Sequence, residues 1–330
     1  MPKIVVLDSH QYPDGAYAEL AALCAENGVD FAALDCRSSD DIVAKAADAE
    51  VLIDIFLPID HAVLSRLPRC RMVVRHGIGV DVLTLDDFTR DGVVACNVPD
   101  YGVEEVAVHA LSLLLALERK VAFYDRQVRA GTWNESLGYE MRRLSLRTLG
   151  FVGFGRIART VASYARAIGY ALVAFDPYLP AARFAASEAR QASLDEVLAA
   201  ADALMVMAPM TAETRGIIND RTLAQAKDGL LLINTARGPL VETAALDRAL
   251  ASGKVAGAAL DVLEEEPPAE KTHSLLRHDN VIVTPHVAYR SRESFAALKL
   301  MCGEIGIDFL KGRPPRNVVN PAVLTRMRQA

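Results

Sequence analysis

Three polar side chains in the second half of the chain are of the types that move a proton at a carbonyl. Arg237, Glu266 and His286 follow the short apolar runs Leu230–Asn234, Ala256–Leu260 and Val281–Thr284. A planar guanidinium anchors a carboxylate through two parallel hydrogen bonds. An imidazole titrates near neutral pH and can exchange a hydroxyl proton. A carboxylate beside the imidazole orients it and favours its charged form. Hydride transfer at a carbonyl needs all three. Spacing alone leaves plainer alternatives open: a surface loop charge, a solvated acid and a helix-capping histidine. Of the adjacent Glu264, Glu265 and Glu266, only Glu266 precedes a proline, which singles it out.

A second feature points to a cofactor. Leu149-Gly150-Phe151-Val152-Gly153-Phe154-Gly155-Arg156-Ile157-Ala158 reads as strand, turn and helix. Gly153-x-Gly155-x-x-Ala158 is the dinucleotide fingerprint in its G-x-G-x-x-A form. Gly153 permits the tight turn, Gly155 lets the backbone approach a pyrophosphate, and Ala158 keeps the helix close to the strand. Free N–H groups at the helix start then face the phosphates. A glycine turn alone is a weak signal, but a second strand, Ala171–Phe175, ends at Asp176, 23 residues beyond Gly153. That is close to the separation expected for the acid that holds the adenosine ribose hydroxyls. Its carboxylate would repel a 2′-phosphate, which favours NAD over NADP.

These residues need a frame to hold them. Candidate strands are Ile4–Leu7, Val51–Ile55, Met72–Val74 and Val93–Cys96, then Thr148–Val152, Ala171–Phe175, Leu204–Ala208, Leu230–Asn234, Ala256–Leu260 and Val281–Thr284. Continuous apolar strands alternating with helical patterns predict parallel sheets covered on both faces, a doubly wound α/β fold. In such sheets ligands bind outside the carboxyl ends of the strands, so Arg237, Glu266 and His286 can converge there. A helix from Val103 to about Lys120 separates the two strand sets, and its middle is apolar nearly all round. Such a helix must be buried on more than one side, inside a domain or at an interface.

Bulk properties narrow the field. The 330 residues suffice for two domains, with 52% apolar and 24% charged residues. A net charge of −6 argues against a nucleic-acid partner. The five cysteines form no Cys-x-x-Cys pair, so no metal site is expected, and reduced thiols suit a cytoplasmic location. The N-terminus lacks a signal-peptide pattern. The longest apolar run, Leu111–Leu117, is too short to span a membrane.

Asn234-Thr235-Ala236-Arg237-Gly238, Asp261-Val262-x-x-x-Glu266-Pro267 and Thr284-Pro285-His286 resemble the three signatures of the D-isomer-specific 2-hydroxyacid dehydrogenase family. Val74-Arg75-His76-Gly77-Ile78-Gly79-Val80-Asp81 resembles its substrate-side loop, and Asp176-Pro177-Tyr178 with Tyr289 resembles the branch related to C-terminal-binding proteins. The resemblance runs over about residues 70 to 320, with four motifs in order. It implies that Arg237 binds the substrate carboxylate and carbonyl, that His286 is the acid–base group, and that Glu266 is its partner. Backbone N–H groups around Ile78 and Gly79 would grip the carboxylate, with Arg237 and His286 completing the substrate contacts. Cofactor contacts would come from Gly153, Phe154, Gly155, Arg156, Ile157, Asp176, Pro177, Ala208, Pro209, Thr214, Thr235, Ala236, Asp261, His286 and Ala288.

The implied architecture is a Rossmann NAD-binding domain, residues 101–287, inserted in a flavodoxin-like substrate domain, residues 1–100 and 288–330. The resemblance also implies a homodimer built around the helix after Val103. Two positions depart from the pattern. Pro239 stands where a second glycine is common, and Arg290 replaces a residue that is often aromatic. The readings that compete are an NAD-sensing protein-binding module and oxidation of phosphite or 3-phosphoglycerate. The loop Asp54–Pro58 offers no cation for a phosphate, and no residues remain after position 330 for a regulatory domain, so a plain small oxo acid is the expected substrate. Formate oxidation is disfavoured because Glu266 stands where its enzymes carry glutamine.

Overall fold

Short runs of β-branched and aliphatic residues form the strands, and the computed structural model describes residues 1–268 and 273–329. The chain divides into two units, Met1–Gly102 with Ser291–Ala330, and Val103–Arg290.

The first unit holds β1 (Lys3–Val6), β2 (Asp30–Ala33), β3 (Val51–Asp54), β4 (Met72–Arg75) and β5 (Val94–Cys96). They form one parallel sheet in the order β2-β1-β3-β4-β5. Alternate side chains leave opposite faces of a strand. Ile4, Val6, Ile53, Val74 and Cys96 therefore fill one core, and Val5, Leu52, Val73 and Ala95 fill the other. The helix Arg292–Leu310 covers the first face with Leu298, Cys302 and Ile305. Gly306 lets it come close, since a Cβ there would lie 3.0 Å from Ile4 Cδ1 and from Val51 Cγ1. The C-terminal segment thus completes the core of the N-terminal sheet.

The second unit holds β6 (Thr148–Val152), β7 (Ala171–Phe175), β8 (Arg190–Gln191), β9 (Ala203–Val206), β10 (Leu230–Asn234), β11 (Val255–Leu260) and β12 (Val281–Val283). Their order is β12-β11-β10-β9-β6-β7-β8, all parallel. Val152, Val206, Leu232 and Ala258 point into one core, and Phe151, Met205, Ile233 and Ala259 into the other. Both sheets are doubly wound, and the second has the Rossmann arrangement, with its switch point between β6 and β9.

Two strands carried no sequence signal. β2 lies at an edge and is only partly buried, and β8 is two exposed polar residues. The helix after Val103 ends at Glu118, short of the expected Lys120. Lys120 instead adopts a left-handed conformation, φ 52°, and starts the helix Val121–Arg129. Its ammonium donates to Leu137 O at 2.7 Å and lies over the Tyr124 and Tyr139 rings.

Candidate active site

The strand order sets the second unit's candidate residues in a row along the carboxyl edge of its sheet. Asp176 follows β7, Gly153 follows β6, Ala208 follows β9, Thr235 follows β10, Asp261 follows β11, and His286 lies just past β12. From β7 to β10 there are three strand spacings, about 14 Å.

At the β6 end, Gly153 has φ 85°, and a Cβ there would sit 2.5 Å from Ala208 N. Glycine therefore allows the turn to rest on the Ala208 loop. Gly155 caps the helix Arg156–Ala167, and a Cβ at Gly155 would meet nothing within 4 Å. Arg156 is exposed and Ile157 half-buried in the first turn. First-turn N–H groups have no acceptor within their own helix, so this open end suits a phosphate. Asp176 Oδ2 accepts from Phe154 N at 2.9 Å and Oδ1 from Tyr178 N at 3.1 Å, which ties the acid to the glycine turn. Pro177 is exposed beside it. The Ala208–Thr214 loop closes on itself, with Thr214 Oγ1 donating to Pro209 O at 2.7 Å.

Beyond β10, the buried Asn234 shapes the next turn. Its Oδ1 accepts from Ala236 N at 3.0 Å, and its Nδ2 donates to Arg237 O at 2.8 Å. Thr235 Oγ1 is buried without a hydrogen-bond partner, a donor left for a ligand at this edge. Arg237 Nη1 donates to Ala236 O at 2.7 Å. Pro239 is seated by Gly216, whose N–H donates to Pro239 O at 2.8 Å.

Gly238 draws two loops together. An added Cβ there would lie 1.7 Å from Leu263 O, so its backbone lies on the segment that leads to Glu266. Thr243 N donates to Glu264 Oε2 at 2.7 Å and ties the same two segments. Glu266 is fixed at both oxygens. Oε1 accepts from Leu263 N at 2.8 Å, and Oε2 lies 2.6 Å from His286 Nδ1. With Glu266 as a carboxylate, Nδ1 carries the hydrogen and Nε2 is left to exchange a proton. Of the three adjacent acids, Glu266 is the one that meets the imidazole.

His286 has φ 52°, a conformation most side chains avoid. Its N–H donates to Asp261 O at 2.8 Å and to Thr284 O at 3.0 Å. Tyr289 presents its ring edge-on to His286, with centroids 6.4 Å apart, while Arg290 is exposed. Asp261 is 1% exposed and anchors the whole turn. Its carboxylate accepts from Thr284 Oγ1 at 2.5 Å, Val287 N at 3.0 Å and Ala288 N at 2.9 Å. Burial pushes this carboxyl up, but hydrogen bonds from His109, Thr284 and the two backbone N–H groups hold it below the ordinary value. His109, from the helix Val103–Glu118, reaches Thr284 Oγ1 at 3.0 Å and Asp261 Oδ1 at 3.5 Å. His109 lies outside every sequence motif, and Asn234 enters only as the first residue of the Arg237 motif. One histidine on an otherwise apolar helix was the available signal for the first.

In the first unit, Ile78 and Gly79 follow β4 on a half-buried loop. Val98 N donates to Gly77 O at 3.0 Å there, and Asn97 Nδ2 to Ile78 O at 2.7 Å. No group of three His, Cys, Asp or Glu side chains among the described residues could hold a metal ion.

Comparison with known proteins agrees with this geometry. Residues 111–288 match the family model of the D-isomer specific 2-hydroxyacid dehydrogenase, NAD binding domain. The chain is 33% identical over 298 residues to a D-3-phosphoglycerate dehydrogenase of Archaeoglobus fulgidus, covering 89% of this chain and 56% of that protein. The chain thus spans about half the length of several curated relatives it matches. It is 30% identical to a hydroxypyruvate reductase of Blautia hydrogenotrophica, over 96% of this chain and 99% of that one. A crystal structure of D-lactate dehydrogenase from Aquifex aeolicus with NAD and lactic acid superposes with a TM-score of 0.86 at 26% identity, over 96% of this chain and 99% of that one. The match of sequence motifs, strand order and full-length relatives has one reading: the chain belongs to the D-isomer specific 2-hydroxyacid dehydrogenase family.

Proposed function

We propose that this protein binds NAD and interconverts a small 2-oxo acid and its 2-hydroxy acid. The observation that carries the proposal is the His286–Glu266 contact of 2.6 Å at the end of the same strand row that bears the glycine turn. NAD, when bound, supplies or accepts the hydride.

The chain's own residues do the rest. The open helix start at Gly155–Ile157 would hold the pyrophosphate, with Phe154 contributing backbone beside it, since its own N–H is committed to Asp176. Asp176 would take the ribose hydroxyls, and its charge would turn away a 2′-phosphate. Pro177, Ala208, Pro209 and Thr214 would wall the adenosine side. Thr235, Ala236, Asp261 and Ala288 would line the nicotinamide side, with the unpartnered Thr235 hydroxyl free to bond there. Arg237 would bind the substrate carboxylate. In reduction, His286 Nε2 gives a proton to the carbonyl oxygen, and in oxidation it takes that proton from the hydroxyl. Glu266 keeps the ring turned and stabilises its charged form. In the first unit, Ile78 and Gly79 N–H groups would bind the carboxylate. We infer the D stereochemistry from family membership.

NADH oxidation across a panel of 2-oxo acids tests the reading. Turnover is expected with at least one of glyoxylate, hydroxypyruvate and pyruvate, and silence across the panel would refute it. The panel should include 3-phosphohydroxypyruvate, because several relatives are named phosphoglycerate dehydrogenases. For the cofactor, Asp176→Ala should lower the NAD over NADP preference in kcat/KM by roughly 10- to 100-fold, since one repelling charge is lost. Equal discrimination before and after would sink that role.

A homodimer in the cytoplasm belongs to the same proposal. Val108, Val121, Val128, Leu146 and above all Trp133, at 90%, are exposed apolar side chains on the second unit that a partner subunit would cover. A monomeric mass by light scattering at micromolar concentration would count against the dimer. All five cysteines are buried free thiols, in keeping with a reducing compartment, and among the described residues no helix is long and apolar enough to cross a membrane.

A further inference from the structure

The loop after β4 has its carbonyl groups tied down one after another. Arg75 Nη1 donates to His76 O at 2.6 Å, Val98 N to Gly77 O at 3.0 Å, and Asn97 Nδ2 to Ile78 O at 2.7 Å. In a trans peptide the C=O of one residue and the N–H of the next point in opposite directions. Pinning Gly77 O on Val98 therefore turns the Ile78 N–H away from β5. Pinning Ile78 O on Asn97 turns the Gly79 N–H away in the same manner. Neither N–H donates to a backbone carbonyl among the described residues. Two successive outward N–H groups make a small anion-binding nest.

Gly77 makes the turn possible. Its φ is 150°, and a Cβ there would come within 3.3 Å of Arg75 Nη1. Asn97 is itself held from behind, with its N–H donating to Asn317 O at 3.2 Å. The two pins differ in kind. Val98 uses its backbone, which any residue but proline would supply. Asn97 uses a side chain, so the direction of the Gly79 N–H depends on residue type.

We infer that Asn97 is a positioning residue that aims the Gly79 N–H, beside that of Ile78, at the substrate carboxylate. The inference rests on the oxo-acid reading above. Asn97 itself touches no substrate. It works by fixing one peptide plane before the substrate arrives, so that no binding energy is spent on turning it.

Two substitutions separate positioning from packing. Asn97→Asp keeps the shape but replaces the donor by a carboxylate that repels Ile78 O. Asn97→Leu keeps bulk without polarity. Positioning predicts that both variants raise KM for the oxo acid, and the inhibition constant of oxamate as an unreactive carboxylate probe, by roughly 10- to 100-fold. Asp should be the worse, kcat should stay within about threefold, and NADH affinity should hold. Lowering the pH toward about 4 should begin to relieve the Asp defect, since a protonated carboxyl can donate again.

A packing role would spare Asp and penalise Leu, and that pattern overturns the inference. So does a joint loss of kcat, NADH affinity and Tm. If the unsubstituted protein reduces no oxo acid at all, the enzymatic reading fails separately. The crystal structure of Asn97→Asp then decides the positioning claim. A turned 78–79 peptide supports it and an unturned one refutes it.

Discussion

Replacing His286 by alanine should lower kcat for oxo-acid reduction by about 10³-fold or more while NADH affinity stays within about threefold. On the proposed reading the imidazole exchanges the substrate proton through Nε2, because its Nδ1 is already committed to Glu266 at 2.6 Å. Removing the ring leaves Glu266 bonded to Leu263 N and leaves the Asp261-held turn without its imidazole. Alanine is also poorly suited to the φ of 52° at this position. His286→Asn controls for that strain, because asparagine accepts the left-handed conformation. Both variants should lose turnover alike. Full turnover in either would remove His286 from the chemistry. Equal losses of turnover and NADH affinity would assign it to binding instead.

The second large effect is expected at a residue with no functional group. Gly238→Ala would place a Cβ 1.7 Å from Leu263 O, 1.9 Å from Leu263 C and 2.5 Å from Glu264 N. All three are backbone atoms, so no flexible side chain can yield. The two loops must part. One carries Arg237 immediately before the glycine, and the other runs on to Glu266. Overpacking of this kind costs about 1–3 kcal/mol in stability. Its larger consequence is the displacement of both groups at once, and a shift near 1 Å costs roughly 10²-fold in rate. We expect kcat/KM to fall by roughly 10²- to 10³-fold, with a fall of several °C in Tm. Activity within threefold of the parent would show that the loop contact is dispensable. A normal Tm with lost activity would support displacement over global unfolding.

Both outcomes depend on features with different legibility. The strands β6, β7 and β10 are readable to the residue, because each is a short apolar run ending in a turn residue. The glycine turn is readable because a tight βα turn demands residues of specific conformation at fixed spacing. The Glu266–His286 contact is foreshadowed by residue type, since each sits a few residues beyond an apolar run and the proposed chemistry calls for an acid beside an imidazole. These signals are local, set by backbone sterics and side-chain periodicity within a few residues.

Strand order is different in kind. Nothing in the run Val281–Val283 states that it pairs with β11 at one end of the sheet, while β7 lies three places beyond β10. That order decides that the Asp176 and His286 positions stand at opposite ends of a row. The fit of Gly238 against Leu263, the reach of His109 to Thr284, and the grip of Asn97 on Ile78 are likewise invisible to periodicity. Each joins segments 19 to 175 residues apart in the chain, as with Asn97 to Ile78 and His109 to Thr284. Local rules fix which residues can turn, cap or alternate. Only close packing of the folded backbone decides which of those turns meet.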